Sequence, residues 1–197
     1  MTEEEKAAQA ARTRSKLMEG LARAERALFT RPAPKSARSQ MKFLRKREKG
    51  STKSLAARLG VSCKTVQRYL SGASTKPTKR LQEALVQETE SEWQPQVRAQ
   101  ARQRATTSGG LVIKFRATLG FTANGSSDDA RMRDLTIAVS PSHAALILAA
   151  QEEGATDTDL HEAVAEAIAD AYFRQAGGGC ASLEVEFRDV QRLDFEF

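Results

Sequence analysis

The side chains best suited to recognition chemistry lie between Val61 and Tyr69. Val61, Val66 and Tyr69 recur at offsets that place them on one face of a helix. Cys63, Lys64, Thr65, Gln67 and Arg68 then point the other way. Lysine, glutamine and arginine have the length and the donors to reach base edges and phosphates in a DNA major groove. Lys64 and Arg68 are four residues apart and share a face. Ser62 is placed to cap the helix. Just upstream, Leu55, Ala56 and Leu59 form an apolar face that ends at Gly60. The string Leu55-Ala-x-x-Leu-Gly-Val-Ser62 has what a helix-turn-helix needs: a small residue at a close crossing, a glycine at the turn, and apolar residues at fixed offsets. Two packed helices with a solvated basic face would satisfy the same pattern. The basic surroundings favour DNA binding.

Arg45, Lys46 and Arg47 precede this unit, Lys53 lies within it, and Lys76, Lys79 and Arg80 follow it. They are expected to contact phosphates, which gives affinity and salt dependence without sequence choice. Arg98, Arg102 and Arg104 extend the basic run, and a solvated helix face accounts for them equally well. Other reactive groups form no constellation. His143 and His161 stand in no metal or triad pattern and read as solvated helix residues. Cys63 and Cys180 are far apart, so neither a disulfide framework nor a zinc site is expected. Gly177-Gly-Gly179 lacks the rest of a phosphate-binding fingerprint. Trp93 reads as an anchor for its helix more than as a base-stacking ring. In Ala123-Asn-Gly-Ser-Ser127, followed by Asp128 and Asp129, the serines suit a turn or a helix cap. The aspartates favour the start of a helix or position a cation.

The elements that would hold these groups follow from periodicity. Residues 3–28 read as a frayed, solvated helix with Leu17, Leu21, Ala24 and Leu28 in register. Arg31-Pro-Ala-Pro-Lys35 breaks it. A short basic helix is expected over 39–49, with Met41, Phe43 and Leu44 facing a core. A long helix over 77–104 follows the helix-turn-helix, bent near Pro95. Residues 105–110 read as a linker. Strands are expected at 111–121, 135–139, 183–187 and 190–197, and helices at 142–153 and 158–175. The fold class is α+β: an N-terminal all-α helix-turn-helix domain, then a smaller α+β domain with a mostly antiparallel sheet and two helices. The expected divisions are a helical extension (1–30), the DNA-binding domain (31–105) and an acidic domain (106–197).

Charge agrees with that division. Residues 1–110 carry 24 Lys and Arg against 10 Asp and Glu, and residues 111–197 carry 7 against 15. The first part would attract a polyanion. The second would meet protein, including a second copy of the chain. No apolar run is long enough to span a bilayer, and the acidic start, Met1-Thr-Glu-Glu-Glu-Lys6, is unlike a secretory signal. A cytoplasmic protein without a membrane partner is expected.

The order of several strings adds a resemblance. Arg31-Pro-Ala-Pro-Lys35 and Gln40-Met-Lys-Phe-Leu44 precede the helix-turn-helix. Trp93-Gln-Pro-Gln-Val-Arg98, Thr106-Thr-Ser-Gly-Gly-Leu-Val-Ile113, Gly125-Ser-Ser-Asp-Asp-Ala-Arg131 and Leu183-Glu-Val-Glu-Phe187 come after it. In this order they resemble the telomere terminal proteins (Tpg-type) of Streptomyces and related linear chromosomes and plasmids, over residues 28–197. The resemblance implies a protein joined covalently to the 5′ ends of linear DNA, which primes the synthesis that patches those ends. It implies telomeric DNA, a telomere-associated recruiting protein and a DNA polymerase as partners, and a place in the nucleoid at linear DNA ends. The chain itself would be no enzyme and hold no cofactor: Mg2+ and the dNTP come with the polymerase. By the same resemblance the nucleotide-accepting hydroxyl is that of Ser127, where the family has threonine, with Ser126 as the substitute. An ordinary helix-turn-helix transcriptional regulator with a C-terminal dimerisation domain is the alternative.

Overall fold

The computed structural model describes residues 16–122, 131–153, 157–174 and 184–197. Its elements are helices and one antiparallel sheet, an α+β architecture. The helices are α1 (residues 16–27), α2 (Ala37–Arg47), α3 (Thr52–Arg58), α4 (Cys63–Ser71), α5 (Lys79–Glu92), α6 (Pro95–Arg104), α7 (Pro141–Glu152) and α8 (Asp157–Ala169). The strands are β1 (Leu111–Thr122), β2 (Arg131–Val139) and β3 (Glu184–Glu196). Single π turns follow α6 (Ala105–Gly109) and α8 (Asp170–Arg174). The chain divides into two compact units, residues 29–97 and the remainder, with the boundary between Val97 and Arg98.

The smaller unit is all helix. Met41 and Leu44 of α2, Leu55 and Ala56 of α3, Val66 and Tyr69 of α4, and Leu81 and Leu85 of α5 share one core. The long helix expected over 77–104 is two helices. They part at Trp93 and Gln94, and Gln94 takes a φ of 46° that no α-helix accommodates. Pro95 then opens α6 at the position where its missing amide costs least.

The larger unit holds the sheet, in the order β2-β1-β3 with both pairings antiparallel. Along β1, Leu111, Ile113, Phe115, Ala117 and Leu119 alternate onto the buried face. Ile147 and Leu148 of α7 and Leu160, Val164 and Ile168 of α8 cover that face. The sequence separates 183–187 from 190–197. Residues 184–196 form one strand, kinked where the register against β1 shifts, with Asp189 at φ 50°.

Helix α1 corrects the sequence expectation most sharply. It is not a frayed extension, because Leu17 and Leu21 are fully buried in the sheet unit's core. Since β3 is an edge strand, some of its carbonyls face away from β1. Lys16 Nζ bonds to the Val190 carbonyl, and Arg23 Nη2 donates to that of Leu193 at 3.2 Å. Arg23 also pairs with Asp194 at 3.2 Å. The helix thus covers an edge that would otherwise be open to pairing. Gly20 permits the approach: a Cβ there would lie 3.1 Å from the Leu193 oxygen. The expected domain divisions shift accordingly. With α1 and most of α6 assigned to it, the sheet unit is the larger of the two.

Candidate nucleic-acid interface

Local chemistry specifies α3 and α4. Ser51 caps α3, its hydroxyl accepting from the Ser54 amide at 3.1 Å. The helix ends in a Schellman arrangement. The Val61 amide donates to the Ala56 carbonyl at 2.9 Å and the Gly60 amide to that of Ala57 at 3.2 Å, with Gly60 at φ 63°. Ser62 then caps α4, accepting from the Thr65 amide at 3.1 Å. Gly72, at φ 88°, ends α4. Tyr69 Oη donates to the Lys76 carbonyl at 3.1 Å, tying the following segment back to α4.

Val66 and Tyr69 are buried against Leu55 and Ala56. Burying each large side chain stabilises by about 1.5–3 kcal/mol, which fixes the rotation of α4 about its axis. Its other side therefore faces solvent with Cys63, Lys64, Gln67 and Arg68 exposed, and Thr65 half-buried beside its cap. Lys53 of α3 and Lys76, Lys79 and Arg80 around the start of α5 are exposed as well. Arg80 reaches to the turn at Gly60.

The expected phosphate contacts are not all equivalent. Arg45 and Lys46 are exposed on α2, in an open cleft of about 510 Å³ lined also by Lys42, Lys49, Gly50 and Leu70. Arg47 is turned elsewhere. Its guanidinium donates to the Glu92 carbonyl at 3.0 Å, lies 3.8 Å from the Glu92 carboxylate, and stacks 5.4 Å from the Phe43 ring. It joins α2 to the end of α5. The sequence reading missed Lys42 and Lys49, although Lys42, Arg45 and Lys49 follow helical spacing.

Residues 29–97 carry 15 Lys and Arg against 5 Asp and Glu. Three of those five acids meet one arginine. Arg58 Nε donates to Glu88 at 2.6 Å, Nη1 to Glu48 at 3.0 Å and Nη2 to Glu92 at 3.0 Å. Desolvation opposes the Arg58 charge, and the bonds to Glu88, Glu48 and Glu92 outweigh it, so its pKa rises above an already high value. Much of the negative charge in this unit is therefore spent on joining α3 to α5 and to the end of α2.

Other expected roles move. Arg102 bonds to Glu25, to Glu152 at 2.7 Å and to Gln151 at 2.6 Å, and Arg98 lies 3.6 Å from Glu25. Both arginines hold the sheet unit together, so they do not extend a DNA track. The two histidines are half-buried: His143 Nδ1 is 2.9 Å from the capping Ser140 hydroxyl, and His161 Nε2 is 3.0 Å from the Phe187 carbonyl. Trp93 donates to the Arg31 carbonyl at 3.0 Å and packs edge-on against Phe43. Ser126, Ser127, Asp128 and Asp129 lie outside the described residues, between β1 and β2 in the chain. Among the described residues there is no cluster of three or more potential metal ligands, and no helix is long and apolar enough to cross a membrane.

No protein-family model, curated protein or solved structure matches the chain.

Proposed function

We propose that the chain binds duplex DNA, using α3 and α4 as a helix-turn-helix with α4 in the major groove. The observation that carries this reading is the sidedness of α4: Val66 and Tyr69 are buried while Lys64, Gln67 and Arg68 are presented to solvent in a strongly cationic unit. Lys53, Lys76, Lys79 and Arg80 supply phosphate contacts around it. Ser62 and Thr65 set the start of the reading helix, where the backbone comes nearest the DNA.

On the resemblance, the DNA is the end of a linear replicon and the protein is its terminal protein. The Ser127 oxygen, with Ser126 as substitute, attacks the α-phosphorus of a dNTP bound by a partner polymerase. A phosphoester forms, pyrophosphate leaves, and the hydroxyl proton passes to solvent. The polymerase contributes the Mg2+. The helix-turn-helix then serves to bring that hydroxyl to the right DNA end, and the acidic sheet unit offers surface for the recruiting protein or a second copy.

Two measurements test this in order. Lys64→Ala/Arg68→Ala should weaken binding of a 30-base-pair duplex at least tenfold, without changing the unfolding midpoint read from Trp93 fluorescence. Unchanged affinity would remove α4 from the interface. DNA ends isolated from the host in hot detergent should retain the protein until protease or base releases it. Ends that are clean in detergent would leave a DNA-binding protein of the regulator class.

A further inference from the structure

Lys42, Arg45 and Lys46 lie three and four residues apart on the exposed side of α2, and Lys49 follows two residues past the end of that helix, at φ 52°. With Gly50 and Leu70 they line the cleft described above. All four are exposed, and no carboxylate pairs with any of them among the described residues. The same helix treats its other arginines differently. Arg47 turns to Glu92, and Arg38 Nε donates to the Leu70 carbonyl at 3.1 Å, closing the seam between α2 and α4. Attraction to the helix C-terminus accounts for basic residues in the last turn. It does not account for Lys42, in the middle of α2 and beyond the reach of that effect. Four like charges this close repel one another, and the one acid among them, Glu48, is turned to Arg58.

We infer that this cleft is a second phosphate track, holding consecutive phosphates of one strand of the duplex that α4 reads. The inference rests on the DNA-binding reading and adds a surface to it. Length argues for a strand over a small free anion. From Lys42 to Arg47 the helix advances about 7.5 Å at 1.5 Å per residue, and Lys49 lies beyond its end. One DNA strand presents a phosphate about every 3.4 Å of axis, so the track faces at least two of them. A single phosphate could not meet both ends. Leu70 ties the track to the reading helix, because it is a residue of α4 and also lines the cleft. A strand lying there and a groove occupied by α4 belong to one DNA molecule. The apolar contact at Leu70 and the lysine stems suits the sugar edge between phosphates.

The test is the salt dependence of binding, with full-length protein and a 30-base-pair duplex of random sequence between 50 and 200 mM NaCl. Each lost phosphate contact lowers the slope of log K against log salt by about 0.9. Lys42→Gln/Lys49→Gln should therefore give a slope shallower by about 1.8. The wild-type advantage should shrink about twelvefold across that range. Lys42→Arg/Lys49→Arg, which keeps the charge, should retain the wild-type slope. An unchanged slope in the glutamine variant, while Lys64→Gln/Arg68→Gln still weakens binding, overturns the track and leaves the DNA reading standing. A lost slope in the arginine variant overturns it too, since charge would not be the cause. Failure of the wild type to bind the duplex at 50 mM NaCl refutes the DNA reading, and the track falls with it.

Discussion

Replacing Arg58 with methionine should unfold the basic unit far more easily than any other single charge deletion there. The guanidinium makes three charge-assisted hydrogen bonds, at 2.6, 3.0 and 3.0 Å, to glutamates on α5 and at the end of α2. Hydrogen bonds to charged groups contribute about 1.5–3 kcal/mol each before screening. The Arg58 side chain is 24% exposed, so water screens part of this, and the three carboxylates can partly resolvate when it leaves. Methionine keeps the packing of the stem but strands three like charges together. A net loss of about 2–3 kcal/mol follows, or roughly 10–20 °C in melting temperature for a unit of this size. Trp93 is the only tryptophan and belongs to this unit, so its fluorescence reports the transition within the full chain. Arg47→Met is the control. It removes a 3.8 Å ion pair and a 3.0 Å hydrogen bond to Glu92, with a stack on Phe43, all from a 41% exposed side chain, and should cost about 1 kcal/mol, well below the Arg58 loss. Adding Glu88→Gln and Glu92→Gln to the Arg58 variant should restore part of the loss, since fewer charges are then left unpaired. A melting temperature within a few degrees of wild type for Arg58→Met, or equal losses for Arg58 and Arg47, would refute the reasoning.

Gly110→Ala should destabilise the sheet unit by upwards of about 3 kcal/mol. Its φ of 68° with ψ of −161° suits only glycine, and a Cβ would sit 2.0 Å from the Val139 carbonyl oxygen, a backbone atom with no freedom to retreat. Faster hydrogen exchange of the β1 amides measures it, and wild-type protection would contradict it. For the priming chemistry, labelled nucleotide transferred in a telomere extract should map to the peptide holding Ser127, and Ser127→Ala should abolish the label. Full labelling of that variant moves the acceptor elsewhere, with Ser126→Ala the next test.

What the sequence made legible was local. The cap Ser62, the turn at Gly60 and the apolar offsets of Leu55, Val66 and Tyr69 all act within about fifteen residues, so one pass along the chain places the turn and α4. The role of α1 needs a partner 174 residues away, the Val190 carbonyl that Lys16 meets. Its apolar register was visible, but nothing nearby in the chain says what it packs on. The break between α5 and α6 was partly visible in Pro95. The left-handed backbone of Gln94, which makes the break complete, carries no glycine to announce it. In the candidate interface most of the basic residues were readable as a group, Lys42 and Lys49 excepted. Their sorting was not, because whether an arginine faces solvent or a glutamate depends on α5, some thirty to forty-five residues beyond Arg58 and Arg47.

That sorting links the stability of the unit to its proposed work. A helical unit with 15 cations and 5 acids must offset strong self-repulsion. Spreading the acids evenly would offset it, and would also neutralise every face. Here Glu48, Glu88 and Glu92 converge on Arg58, and Glu92 also draws Arg47 to the flank of α2 that carries Phe43. The stabilising ion pairs are thereby gathered where α3 meets α5. Lys42, Arg45 and Lys46 on α2, Lys49 just past it, and Lys64 and Arg68 on α4 have no carboxylate paired with them among the described residues. The cost of that uncompensated charge falls when a polyanion arrives. DNA binding should therefore stabilise this unit, and raise the Trp93 melting temperature more at low salt than at high.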